Sequence, residues 1–116
     1  MSREVEIRNM ITSDDFKKLE IRIGKVVSAE RIPDADKLIK FVFDLGNERR
    51  QIMAGMAEFF DDPSVFIGKE MPILVNIEHR KLRGYDSQGM ILAVDVNGRP
   101  VLLHPEEEVP PGSMVK

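Results

Sequence analysis

Three cations, Arg80, Lys81 and Arg83, fall within four positions of a segment, Asn76 to Leu92, that is bracketed by two strongly apolar runs. Arginine grips a phosphate with a bidentate fork and lysine with a point charge, so such a cluster can hold an anion; it can equally be a solvated loop. Asn76, Ser87 and Gln88 add neutral donors and acceptors at the two ends of the segment. Gly84 and Gly89 either let a backbone approach a ligand closely or serve turn and bulge geometry.

Other chemistries find little support. Cysteine is absent, which excludes disulfides, thiolate catalysis and Cys-built zinc sites. The two histidines, His79 and His104, stand 25 positions apart and fit no metal-ligand spacing. There is no P-loop and no dinucleotide-binding glycine motif. Tyr85-Asp86-Ser87-Gln88-Gly89 lacks the first glycine of a nucleophile elbow. Asp34 and Asp36 adjoin Lys37 without the rest of a calcium loop, and suit a turn better. Neither catalysis, a metal nor a cofactor is expected. Net charge is −3, with Glu106, Glu107 and Glu108 gathered in the tail, so any phosphate binding should be modest and salt-sensitive. No apolar run approaches a membrane span, and the start of the chain lacks the order of a signal peptide, so a soluble cytoplasmic protein is the expectation.

At 116 residues the chain suits one domain. Residues 1–12 give no clear period and read as a lead. Ser13 is expected to cap a short helix, with Asp14 and Asp15 in its first turn and Phe16 and Leu19 on one face, either plugging a core or meeting a second subunit. Ile21 to Ile32 reads as a strand needing a bulge at Gly24 to bury Val27 and Ala29. Ile39, Phe41, Phe43 and Leu45 alternate with polar or outward positions in a second strand, and Gly46-Asn47 turns into a third, Arg49 to Ala54. Met56 to Phe60 suits one helical turn, and Val65 and Phe66 can pin the following loop. Met71 to Ile77 and Met90 to Val96 are nearly continuous apolar runs, expected to be strands covered on much of both faces. Asn97-Gly98 is a hairpin turn into Val101 to Leu103, and Pro110-Pro111-Gly112 turns once more before Met114 and Val115.

Five strands with a helical turn between the third and fourth match an all-β OB-fold Greek-key barrel over residues 13–96, followed by a C-terminal extension over 97–116. That fold presents ligands to strands two and three and to the loops joining strands one to two and four to five, which places Lys37, Lys40 and Arg50 beside Arg80, Lys81 and Arg83. Single-strand binders need exposed rings. Here only Tyr85 lies in the basic segment, able either to stack on a base or to cap the barrel rim, so recognition of a folded RNA by shape and backbone is favoured over sequence readout.

Taken in order, Arg31-Ile-Pro-Asp-Ala-Asp-Lys-Leu38, Arg49-Arg-Gln-Ile-Met-Ala-Gly55 and Asn76 to Leu92 resemble the tRNA-binding domain appended to methionyl-tRNA synthetases, which also occurs free-standing and in endothelial-monocyte-activating-polypeptide-like proteins. The resemblance implies that Lys81, Arg83, Ser87 and Met90 contact tRNA, although periodicity alone would put Met90 in the core. It implies partners: tRNA, the catalytic part of methionyl-tRNA synthetase, and a second copy of the chain through the C-terminal extension. Many relatives carry serine where Ala54 stands, which puts a hydroxyl contact there in doubt. An export chaperone that binds unfolded peptides on a similar dimeric barrel is the alternative. An extracellular signalling role, the third reading, lacks a secretion signal.

Overall fold

The computed structural model describes residues 9–116, so most of the expected lead lies outside the described residues. Among the described residues, ten strands follow one short helix: α1 (Ser13–Lys17), β1 (Ile21–Ile32), β2 (Ala35–Asp44), β3 (Arg49–Ala54), β4 (Glu70–Leu74), β5 (Arg80–Leu82), β6 (Tyr85–Ser87), β7 (Met90–Ile91), β8 (Ala93–Val96), β9 (Arg99–Leu102) and β10 (Met114–Val115). The main sheet runs β3-β2-β1-β4-β7 with every pairing antiparallel, and β10 adds to β1. β5–β6 and β8–β9 form separate hairpins. This is the expected all-β, OB-like barrel.

β2 supplies the core, because its period-2 alternation puts Ile39, Phe41 and Phe43 on one face with no exposed surface. The rings of Phe41 and Phe43 stack at 5.6 Å, and Phe66 reaches in from a 3₁₀ turn (Pro63–Phe66) to lie 5.5 Å from Phe41. Burying a phenylalanine this fully stabilises the fold by about 1.5–3 kcal/mol, so Phe66 does pin its loop; Val65 stays exposed. A smaller cluster of Ile32, Ala35 and Met53, with Leu82 and Tyr85 packed on it, ties the β1–β2 turn to the β5–β6 hairpin.

Several expectations are corrected. Thr12, not Ser13, caps α1: its Oγ1 accepts from Asp15 N–H and its own N–H donates to Asp15 Oδ2, each at 3.0 Å. A cap at Ser13 would have placed Phe16, which carries no acceptor, where the returning carboxylate is needed. Phe16 and Leu19 plug nothing; α1 buries no residue, and Phe66 fills the core instead. In β1 the register passes Gly24 unbroken against β4 and shifts between Val26 and Ser28 against β2, so Val26 is buried with Ala29 while Val27 is only half-buried. Gly24 is there for space: a Cβ would sit 2.9 Å from Phe43 Cδ1.

The run Met90 to Val96 is not one covered strand. Leu92 N–H donates to Pro72 O at 3.1 Å, but Pro72 has no N–H to return, and the β4–β7 ladder stops there. The chain then leaves the sheet as β8, with Val94 and Val96 about two-fifths exposed. Asn97 and Gly98 both take positive φ, 53° and 84°, giving the expected hairpin turn.

Candidate nucleic-acid interface

The basic segment is itself a hairpin, which the sequence did not announce. β5 pairs with β6 through Arg80↔Ser87, Lys81↔Asp86 and Leu82↔Tyr85, around a turn in which Arg83 and Gly84 have φ of 53° and 84°. Leu82 and Tyr85 face the small apolar cluster, so the hairpin has a dry side. Arg80, Lys81 and Arg83 are exposed.

Polar bonds fix the stem of this hairpin to β3, which is the edge of the main sheet. Gln88 N–H donates to Gln51 O at 2.8 Å, and Gln51 N–H donates to Gln88 Oε1 at 2.9 Å. Gln51 Nε2 donates to Asp86 O at 3.0 Å. Met53 N–H donates at 3.0 Å to Ser87 Oγ, a hydroxyl only 2% exposed. Arg50 Nη1 donates both to Val75 O at 2.6 Å and to Gln88 O at 3.1 Å, while its Nε pairs with Glu48. These bonds close the barrel and occupy the outward groups of β3 that an open edge would leave bare.

The anticipated contact residues therefore separate into groups. Lys37, Lys81 and Arg83 line one groove together with Asp34 and Asp36, brought there by the β1–β2 turn. Arg80 and Met90 line a second groove with Ala54, Gly55 and Val94. Met90 is 41% exposed, not the core residue its periodicity suggested. Lys40 Nζ lies over the Tyr85 ring, 5.5 Å from its centroid, and Tyr85 packs against the small cluster. Arg50 Nη1, Ser87 Oγ and Gln88 Oε1 are bonded within the stem. Asn76 is exposed but spent as well: Nδ2 donates to Lys18 O at 2.6 Å and Oδ1 accepts from Glu20 N–H at 2.8 Å.

Among the described residues, Arg80, Arg83 and Lys37 form no ion pair. Lys81 Nζ stands 3.8 Å from Asp86 Oδ1, with the two side chains 69% and 63% exposed, a pair that water screens and a ligand can exchange at little cost. Arginine 31, inside the first sequence block, donates to Ala57 O at 2.9 Å and Phe60 O at 2.7 Å, closing the 3₁₀ turn Ala57–Phe59 rather than facing a ligand. Sequence reasoning missed Gln51, and nothing in its neighbourhood marks it. No group of three or more His, Asp or Glu among the described residues is arranged to hold a metal ion, and none of the described helices is long and apolar enough to cross a membrane.

An antiparallel OB-like barrel carrying an exposed basic hairpin defines a class of nucleic-acid-binding module. The family model described as "Putative tRNA binding domain" matches residues 21–114, and the chain belongs to that family. It is 45% identical over 112 residues to a methionine–tRNA ligase of Archaeoglobus fulgidus, covering 97% of this chain and 17% of that protein. A Thermotoga maritima methionine–tRNA ligase is 43% identical over 108 residues, again across 17% of its length. The chain thus spans about a sixth of these relatives. Among solved structures, a MetRS-related protein from Pyrococcus horikoshii is 36% identical with a TM-score of 0.87, the match covering 93% of this chain and 99% of that one. The chaperone CsaA from Bacillus anthracis is 30% identical with a TM-score of 0.82, covering 92% and 99%.

Proposed function

We propose that this chain is a non-catalytic tRNA-binding module that raises the hold of methionyl-tRNA synthetase on its substrate, in cis or in trans, and works in the cytoplasm. The observation that carries the reading is the meeting of Lys37, Lys81 and Arg83 on one groove beside the barrel, with their charged ends exposed. Kinship with methionine–tRNA ligases supports the synthetase as partner. Lys37, Arg80, Lys81 and Arg83 are the phosphate ligands of this proposal, Met90 adds an apolar contact, and Lys40 extends the surface over β2. Phosphate contacts position a ligand without reading sequence, so several tRNAs should compete similarly.

A second copy completes the proposal. Phe16, Leu19, Val101, Leu103 and Met114 are each 37–48% exposed, apolar surface that a two-fold pair would cover. Binding should be measured with several tRNAs over a salt series. Four neutralised phosphates predict a log–log slope of about −3, at roughly 0.7–0.9 per contact. A flat salt response refutes the reading. Preferential capture of an unfolded peptide over tRNA would favour the chaperone-like alternative, whose support is the likeness to CsaA.

A further inference from the structure

We infer that Arg50 and Gln88 are positioning residues that hold the basic hairpin in its RNA-competent pose, and that neither donates to the RNA. The inference rests on the tRNA-binding reading above. A single guanidinium nitrogen of Arg50 bonds the backbone at both feet of the hairpin: Val75 O, where the chain leaves β4, and Gln88 O, where it returns. Glu48 takes the Nε side of the same group, and the side chain is only 22% exposed. Gln88 meets Gln51 through both its backbone N–H and its Oε1. Pulling Arg50 out to a phosphate would strip two carbonyls at once. Among the described residues the hairpin pairs with no strand of the main sheet, so this staple, the bonds from Gln51 Nε2 to Asp86 O and from Met53 N–H to Ser87 Oγ, and the dry contact of Leu82 and Tyr85 together keep it docked.

A loop that is docked only part of the time binds in proportion to that fraction. Lysine keeps the charge of arginine, but its nitrogen stands one bond short of Nη1, and it has no second nitrogen to hold Glu48 while reaching the two carbonyls. Arg50→Lys and Arg50→Ala should therefore weaken tRNA binding alike, about tenfold if the docked fraction falls to roughly a tenth. The salt slope should stay within about 0.3 of wild type, because no phosphate contact is lost. Hydrogen exchange of the free chain should show faster exchange at the amides of 78–88 with β2 still protected. Gln88→Ala, which removes only the acceptor of Gln51 N–H, should give the same pattern more weakly, and it carries the test should the Arg50 variants fail to fold.

If Arg50→Lys binds like wild type while Arg50→Ala loses affinity together with nearly one unit of slope, Arg50 is a direct phosphate ligand and the inference is wrong. Unchanged exchange at 78–88 in all variants overturns it too. Failure of the functional reading looks different: the wild-type chain, or its Lys81→Ala/Arg83→Ala variant, would show no tRNA-dependent difference, while the exchange data would still decide whether the staple holds the hairpin.

Discussion

Replacing Lys81 and Arg83 by alanine removes two exposed cations and almost nothing else. Lys81 loses an exposed pair with Asp86 at 3.8 Å, worth about 0–1 kcal/mol. Arg83 sits at φ 53°, and alanine there bears about the same backbone strain as arginine. The fold should keep its melting temperature to within a few degrees. Binding should fall by a calculable factor: with about 0.7–0.9 log units of salt dependence per phosphate, dropping two contacts costs about 25- to 60-fold at 0.1 M salt. The deficit should shrink to about 5- to 9-fold at 0.3 M, since less counterion release is forfeited there. Filter binding or fluorescence anisotropy across that range, beside a thermal melt, measures both quantities. Arg83→Gly sharpens the contrast, because glycine relieves the left-handed strain by about 1 kcal/mol while removing the cation, so stability should rise as affinity falls. A double variant whose binding deficit is independent of salt, or which loses fold and binding together, would refute the assignment.

Light scattering on the intact chain at tens of micromolar should report a dimer, and Val101→Asp with Leu103→Asp should give a folded monomer; a wild-type monomer would remove the second copy from the proposal. Gly112→Ala should destabilise by about 3 kcal/mol or more in a denaturant titration, since its Cβ would lie 2.2 Å from Leu45 O at a φ of 91°. The backbone hydrogen bond from Thr12 holds the Asp15 carboxyl below its ordinary value, helped by the Thr12 hydroxyl. Its contribution to α1 is therefore present above the ordinary carboxylate range and is lost as pH falls through the lowered value; NMR titration of Thr12→Ala, which keeps the backbone N–H and removes the hydroxyl, should show the Asp15 pKa moving only part of the way back up.

What could be read from the residues was whatever depends on neighbours in the chain. The alternation of Ile39, Phe41 and Phe43 needs no distant partner to be recognised, and Asn97-Gly98 announces its turn by its own conformational freedom. The break after Ile91 was hidden because its cause, the missing N–H of Pro72, lies on another strand. The β5–β6 hairpin was hidden because arginine is an unusual first residue for a left-handed turn. The same holds at the candidate interface. Basic character at Lys37, Arg80, Lys81 and Arg83 is visible residue by residue. That Arg50 Nη1, the Asn76 amide, Ser87 Oγ and Gln88 Oε1 are bonded internally depends on partners far along the chain, which no local pattern reports.

β1 is completed from opposite ends of the domain. Its second half pairs with the adjacent β2, but Ile21 and Arg22 find β10, and Ile23 exchanges hydrogen bonds with Gly112 and Ser113 at 2.7 and 2.8 Å. The hairpins β2–β3, β5–β6 and β8–β9 can each form by closing a short loop, whereas this seam must wait for the longest closure in the fold. It should thus be absent from the folding transition state, and damage to it should steepen loss rather than delay formation. In a chevron, substitutions at Met114 or Val115 should raise the unfolding limb and leave the folding limb in place. The last strand then governs how long the barrel lasts, not how quickly it assembles.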